Sequence, residues 1–212
     1  MWSAETAVPA CSPPSSLAST AATFRGTPRA GPLRDVLTAF ARAKDVRRLP
    51  SPRAWCGGAH WPNLVRHTLA PRLPRECRAV AEAVVDAVLQ AEASADTVHL
   101  VHGDFGPHNV LWHADQVVGV LDLDHACAGD PAIDAASLIS FFGAAQVAPI
   151  VDRAILERAM IHRASLTIQL AAAAELLADT GLRDHALTNF VTRHQAGTLH
   201  DPGGWQPHLD RM

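Results

Sequence analysis

Lysine is almost missing from this chain of 212 residues. Lys44 is the only one, and arginine supplies the rest of the positive charge. Tyrosine is absent and aromatic residues make up only 5%. We read the accompanying surplus of arginine and alanine as coding bias rather than chemistry. The formal net charge is -3, so no strongly basic face points to nucleic acid. The four cysteines, Cys11, Cys56, Cys77 and Cys127, form no C-x-x-C pair. Scattered in this way they fit free thiols in a reducing cytosol better than a disulfide frame. No basic segment followed by an apolar run opens the chain, so no signal peptide is expected. The longest apolar stretch, around Ile161 to Ala178, is interrupted by His162, Arg163, Gln169 and Glu175. It reads as a buried or amphipathic helix and not as a membrane span. These absences point to a cytoplasmic chain without membrane or nucleic-acid partners.

What is present is enough apolar residue, 48%, to build one ordinary domain. Residues 1 to about 30 are rich in Ser, Thr, Ala and Pro and lack any sustained period, which predicts a disordered or loosely attached arm. From Pro32 a helical pattern places Leu33, Val36, Leu37, Phe40 and Ala41 on one face and fades after Val46. Pro50, Pro52, Gly57-Gly58 and Pro62 mark a loop over 48–62. A long helix follows Pro74, with Cys77, Val80, Val84, Val85, Val88 and Leu89 inward. The period then switches. Residues 98–101, 110–112 and 117–121 read as short strands, the last two joined by a turn at Ala114-Asp115. A further helix is expected over 133–142, two or three more over 150–195, and an irregular tail over 196–212. The expected class is therefore α+β and mainly α.

The chemistry gathers around Val101-His102-Gly103-Asp104-Phe105-Gly106-Pro107-His108-Asn109-Val110. Asp104 follows a predicted strand, so a loop presents it. Asn109 stands five residues later, before the next strand, and Asp122 ends the strand after that. A tight hairpin brings Asn109, Asp122 and the Asp104 loop to one edge. Phosphoryl transfer needs this kind of set, because catalysis there is mostly positioning and charge neutralisation. A carboxylate orients the acceptor hydroxyl and takes its proton, which suits Asp104. Hard oxygen donors, the Asp122 carboxylate and the Asn109 amide oxygen, suit magnesium.

Three motifs occur in order: His102-Gly103-Asp104-x-x-x-x-Asn109, Val120-Leu121-Asp122-Leu123-Asp124, and Gly129-Asp130-Pro131-x-x-Asp134. Together they resemble the aminoglycoside phosphotransferase family of small-molecule kinases, which is similar in fold to the protein kinases. The resemblance spans about residues 31–195. It implies a protein-kinase-like C-terminal lobe in which a small β-hairpin element carries the catalytic and metal loops. It further implies Asp104 as the catalytic base, Asn109 and Asp122 as ligands for magnesium and hence for ATP, and His102 and Asp134 as braces of the loop. The implied reaction is ATP-dependent transfer of phosphate to a hydroxyl of a small molecule, antibiotics included. Two positions depart from the family pattern: His108 stands where glycine is common, and Phe105 where leucine is usual.

The family's N-terminal lobe, on the order of 100 residues, is expected to be absent. No G-x-G-x-x-G occurs, and Lys44 lies in a helical context rather than on a strand. This predicts weak or absent kinase activity for the isolated chain, or a partner chain that supplies the missing lobe. Two other readings stay open. One is a non-catalytic, pseudokinase-like remnant or interaction module. The other is a metal-dependent hydrolase built on His102, Asp104, His108, Asp122, Asp124 and His125. The acidic residues Glu157, Glu175, Asp179 and Asp184 are either a pocket for a polycationic acceptor or a solvated, paired face. Trp112 and Phe141-Phe142 read as core.

Overall fold

The computed structural model describes residues 29–95 and 97–207. The arm expected over residues 1–30 lies outside these but for its last two residues.

Seven helices and two small sheets make up the described fold, which is mainly helical α+β. Helix α1 runs Ala30–Ala41 and buries Leu33. The predicted pattern overran it. The chain leaves the helix at Arg42, and Lys44 is exposed in a bend just before Asp45, which turns left-handed at φ 58°. Ala41, expected on the inner face, is exposed. The segment expected as a loop over 48–62 is a series of single 3-10 turns that ends in the short helix α2, Trp61–Leu64. Trp61 is fully buried there.

Helix α3, Arg75–Ala93, starts directly after Pro74, whose missing N–H costs nothing before a first turn. Cys77, Ala81, Val84, Val85, Val88 and Ala91 form its buried stripe. Leu89, expected inward, is 38% exposed, because the stripe is narrower than the apolar sequence suggests.

The strands come next. Strand β1, His99–Val101, pairs antiparallel with β4, Cys127–Gly129, a strand not expected from the sequence. Strands β2, Val110–His113, and β3, Gln116–Val120, form the expected hairpin, with an irregularity between Leu111 and Trp112. Ala114 adopts φ 50° in its turn.

Helix α4, Ala132–Phe142, follows β4 and leads into the single turn α5, Ala144–Val147. Helix α6, Arg153–Leu176, is capped by Asp152, whose side chain accepts from the Ile155 N–H at 2.8 Å. It is buried on most sides, as expected for the helix others pack around. Polar residues are carried inside by pairing. The Ser165 hydroxyl donates to the His162 carbonyl at 2.7 Å and accepts from Gln169 Nε2 at 2.7 Å. Helix α7, Thr180–Gln195, completes the set.

The described part of the tail, 196–207, is without helix or strand but is tied down. Arg163 Nη1 donates to the Thr198 and Leu199 carbonyls, and buried Asp201 accepts from the Ala144 N–H. One hydrophobic cluster joins α2, α3, α6 and α7, and a second joins α1, the β2–β3 hairpin, α4 and the start of α6. The segment 102–109 sits where α1, α4 and the two sheets meet. Among the described residues no helix is long and apolar enough to cross a membrane.

Candidate active site

The segment after β1 is held from three sides. Phe105 is fully buried in the second cluster, edge-on to Phe40 at 5.8 Å and 5.8 Å from the His102 ring. Burying such a side chain is worth roughly 1.5–3 kcal/mol, which anchors the loop that carries Asp104. The His102 ring, also fully buried, uses both nitrogens. Its Nε2 donates to the Leu121 carbonyl at 2.7 Å, and its Nδ1 accepts from the Asp104 N–H at 3.3 Å. This fixes the tautomer and couples the Asp104 loop to the end of β3.

Asp134, in the first turn of α4, accepts from the His102 N–H and from the Gly103 N–H, each at 2.9 Å. Gly103 adopts φ 86°, and a Cβ there would collide with the His125 carbonyl oxygen, so the H-G-D motif admits only glycine at its centre. Asp134 is 1% exposed. Burial pushes its carboxyl up to about 6 from an ordinary 3.8, although the two N–H groups pull the other way.

That arrangement predicts a specific pH behaviour. The folded chain takes up this proton more readily than the unfolded chain does. The group's contribution to stability is therefore present in full below pH 3.8 and is lost as pH rises through 6. Asp134→Asn removes that dependence. It also turns an NH2 group towards one of the two N–H donors, which should cost about 1–3 kcal/mol. Urea unfolding of both chains between pH 4 and pH 8 measures both effects. A variant as stable as the parent across that range would contradict this account.

Asp104 itself faces outward, with its side chain 44% exposed. Its carbonyl accepts from the Gly106 N–H at 2.8 Å and from Asn109 Nδ2 at 2.9 Å. The NH2 group of Asn109 is thus committed, and among the described residues no donor reaches its Oδ1. The amide oxygen is left for a hard cation. The Leu121 N–H donates to the Asn109 carbonyl at 2.9 Å, extending the β2–β3 ladder by one bond. This brings Asn109 and Asp122 to the same end of the hairpin. Asp122 is exposed and left-handed at φ 58°, a conformation that aspartate tolerates better than most side chains but still at a cost. The exposed Asp122 carboxylate and the amide oxygen of buried Asn109 are donor types that fit magnesium, which takes few protein ligands.

Of the six residues in the hydrolase reading, none join into a cage. Among the described residues no three His, Cys, Asp or Glu side chains come together to hold a metal ion. A transition-metal hydrolase takes at least three such ligands.

Three residues of this region escaped the sequence reading. His108, expected as a departure from the pattern and as a member of the hydrolase set, places Nε2 3.4 Å from Asp104 Oδ2, with its ring 5.5 Å from that of Phe141. Phe141 was expected in the core but is 53% exposed, while Phe142 and Trp112 pack against the second cluster as expected. Trp55 stands 5.0 Å from the His125 ring. A cleft of about 290 Å³ opens at Asp104, and Trp55 and Phe141 line it.

Comparison with known proteins gives the family and the fold. The sequence model of the phosphotransferase enzyme family matches residues 16–176. Hygromycin-B 4-O-kinase of Escherichia coli is 32% identical over 79 residues, which is 37% of this chain and 21% of that protein. Among solved structures, the GDP complex of aminoglycoside 2'-phosphotransferase-IIIa is similar with a TM-score of 0.65 at 14% identity. The similarity covers 78% of this chain and 61% of that one. A thermostable mutant of aminoglycoside phosphotransferase APH(4)-Ia, in ternary complex with AMP-PNP and hygromycin B, gives a TM-score of 0.50 at 18% identity. There 79% of this chain and 64% of that one are covered. At such identities the structures speak for the fold, and the chain spans less than two thirds of each of these relatives. The family match covers most of the sequence, and on it the chain belongs to the phosphotransferase enzyme family.

Proposed function

We propose that this chain forms the acceptor and magnesium side of an ATP-dependent phosphotransferase for a hydroxyl-bearing small molecule. One observation carries the reading. Asn109 gives its NH2 to the Asp104 carbonyl, and its own carbonyl accepts from the Leu121 N–H, so one residue ties the Asp104 loop to the hairpin end that leads into Asp122. In the proposed step the acceptor oxygen attacks the γ-phosphorus of ATP. A new O–P bond forms, the bond from phosphorus to the β–γ bridging oxygen breaks, and ADP leaves. The acceptor's proton passes to the Asp104 carboxylate. His102 and Asp134 act as positioning residues, holding that carboxylate through the backbone of 102–104. Magnesium, when bound through Asn109 and Asp122, neutralises phosphate charge.

The described residues hold no strand lysine over such a phosphate, since Lys44 is exposed in its bend. Because positioning supplies much of the rate in this chemistry, we expect slow turnover by the chain alone. A partner chain that supplies a nucleotide-covering lobe would raise it.

Calorimetric titration with ATP tests the reading. Binding should require magnesium and weaken at least about tenfold in Asp122→Ala, the smallest loss typical of disturbed metal sites. Equal binding without magnesium, or an unaffected variant, would remove the reading.

A further inference from the structure

The cleft beside Asp104 differs in chemistry from what a polycationic acceptor requires. Beside Asp104 its lining is mostly apolar or aromatic, with Trp55, Phe141, Leu166 and Leu170, and the small polar contribution comes from Ser137 and Ser140. Asp104 is the one carboxylate in this lining. At about 290 Å³ the space suits a small organic molecule.

The acidic residues weighed as a pocket for a polycation are engaged elsewhere. Glu157 accepts from Arg153 at 2.9 Å. Glu175 lies between Arg72 at 3.3 Å and Arg183 at 2.9 Å. Asp184 also pairs with Arg183, and Asp179 caps α7 through the Leu182 N–H. The choice left open by the sequence falls to the paired, solvated face. A molecule with three or four ammonium groups would bring at most one of them to a carboxylate here and would press the others against apolar walls, where unpaired charge is strongly disfavoured. Phe141, more than half exposed at the cleft, is by contrast a large apolar surface waiting for a partner. Its ring packs at a tilt on that of His108, 5.5 Å away, and Trp55 packs likewise on His125 at 5.0 Å, so each aromatic side chain has a ring neighbour.

We infer that this cleft takes an uncharged alcohol with an apolar, ring-shaped face, held between Trp55 and Phe141 with its hydroxyl towards Asp104. The inference rests on the proposed role of Asp104, but its test does not. The probe is 2-(2-naphthyl)ethanol, compared with hygromycin B as a polycation and choline as a small monocation. Saturation-transfer NMR and calorimetry are run on the full chain without nucleotide. The naphthyl alcohol should bind, and Phe141→Ala should weaken it about tenfold. Leu177→Ala, an exposed apolar position just past the C-terminus of α6 and not in the lining of the cleft, should leave it unchanged. Trp55→Ala should act like Phe141→Ala. If Trp55→Ala unfolds the chain, the exposed Phe141 carries the test alone. Tighter binding of hygromycin B or choline than of the naphthyl alcohol overturns the inference. So does alcohol binding that Phe141→Ala leaves intact.

Labelled ATP then separates this inference from the proposed function. Phosphate transfer to hygromycin B would keep the phosphotransferase reading and sink the uncharged acceptor. Phe141-dependent alcohol binding with no magnesium-dependent transfer of label would do the reverse.

Discussion

Asp104→Asn is expected to slow magnesium-dependent release of phosphate from γ-labelled ATP by about 10²–10⁴-fold, the range for loss of a positioned general base. Water stands in for the acceptor hydroxyl in this assay, because the same carboxylate would take the proton from either attacking oxygen. The substitution is conservative in shape. The Asp104 carbonyl, which accepts from Asn109 and Gly106, is backbone and stays in place. The side-chain oxygens have only long contacts, His108 Nε2 and Asn109 Nδ2, each 3.4 Å from Oδ2. Little structure is therefore lost with the charge. ATP affinity should hardly change, since the proposed magnesium contacts are at Asn109 and Asp122. A fall in kcat with KM preserved marks a group that acts in the transition state, whereas Asp122→Ala should act on binding. A change of less than tenfold in single-turnover rate would remove Asp104 from the role of base.

The hairpin that carries Asn109 and Asp122 was legible in the sequence. Two short apolar runs and a turn at Ala114-Asp115 set it, while the register shift between Leu111 and Trp112, which skips Val118, had no signal in the sequence. Helix α3 was legible from its 3.6-residue stripe, with Leu89 lying just beyond the edge. Strand β4 was not. Its three residues, Cys-Ala-Gly, have no strand preference, and only pairing with β1 makes them a strand.

The split between Phe141 and Phe142 was hidden for a different reason. Helix α4 is apolar on nearly all faces, so periodicity does not say which ring turns outward. Trp55 reaches the cleft from a single 3-10 turn in a Pro-rich stretch, about 50 residues before Asp104 in sequence, and no local pattern announces that. The motifs marked the candidate site. The walls of the cleft come from distant segments and became visible only once those were packed.

Arg158→Met should be the most destabilising single change outside the hydrophobic clusters, at about 3–5 kcal/mol. Asp130, in the Gly-Asp-Pro motif between β4 and α4, is 3% exposed. Arg158 on α6 holds it with two bonds, Nε to Oδ2 at 2.7 Å and Nη2 to Oδ1 at 3.1 Å, while the Ala132 N–H gives a third at 2.9 Å. Burial alone would raise this carboxyl. His162, Arg158 and the Ala132 N–H more than offset that and hold it well below the usual carboxylate range. His162 Nε2, at 3.7 Å, is too far for a proper hydrogen bond, so the guanidinium carries the larger share. Removing it strands a carboxylate in the interior.

In a domain of this size the cost corresponds to a fall in Tm of about 6–20 °C. The sign of the pH dependence is opposite to that of Asp134. A lowered carboxyl stabilises above its ordinary 3.8, and the contribution is lost as pH falls further. The double change Arg158→Met with Asp130→Asn removes the stranded charge and keeps an acceptor for the Ala132 N–H. It should recover more than half of the lost Tm, because replacing both members of a buried pair costs far less than breaking it. Thermal unfolding of the two variants decides the matter. A single change that lowers Tm by no more than 2 °C would show that α6 is joined to the β4–α4 turn by packing alone.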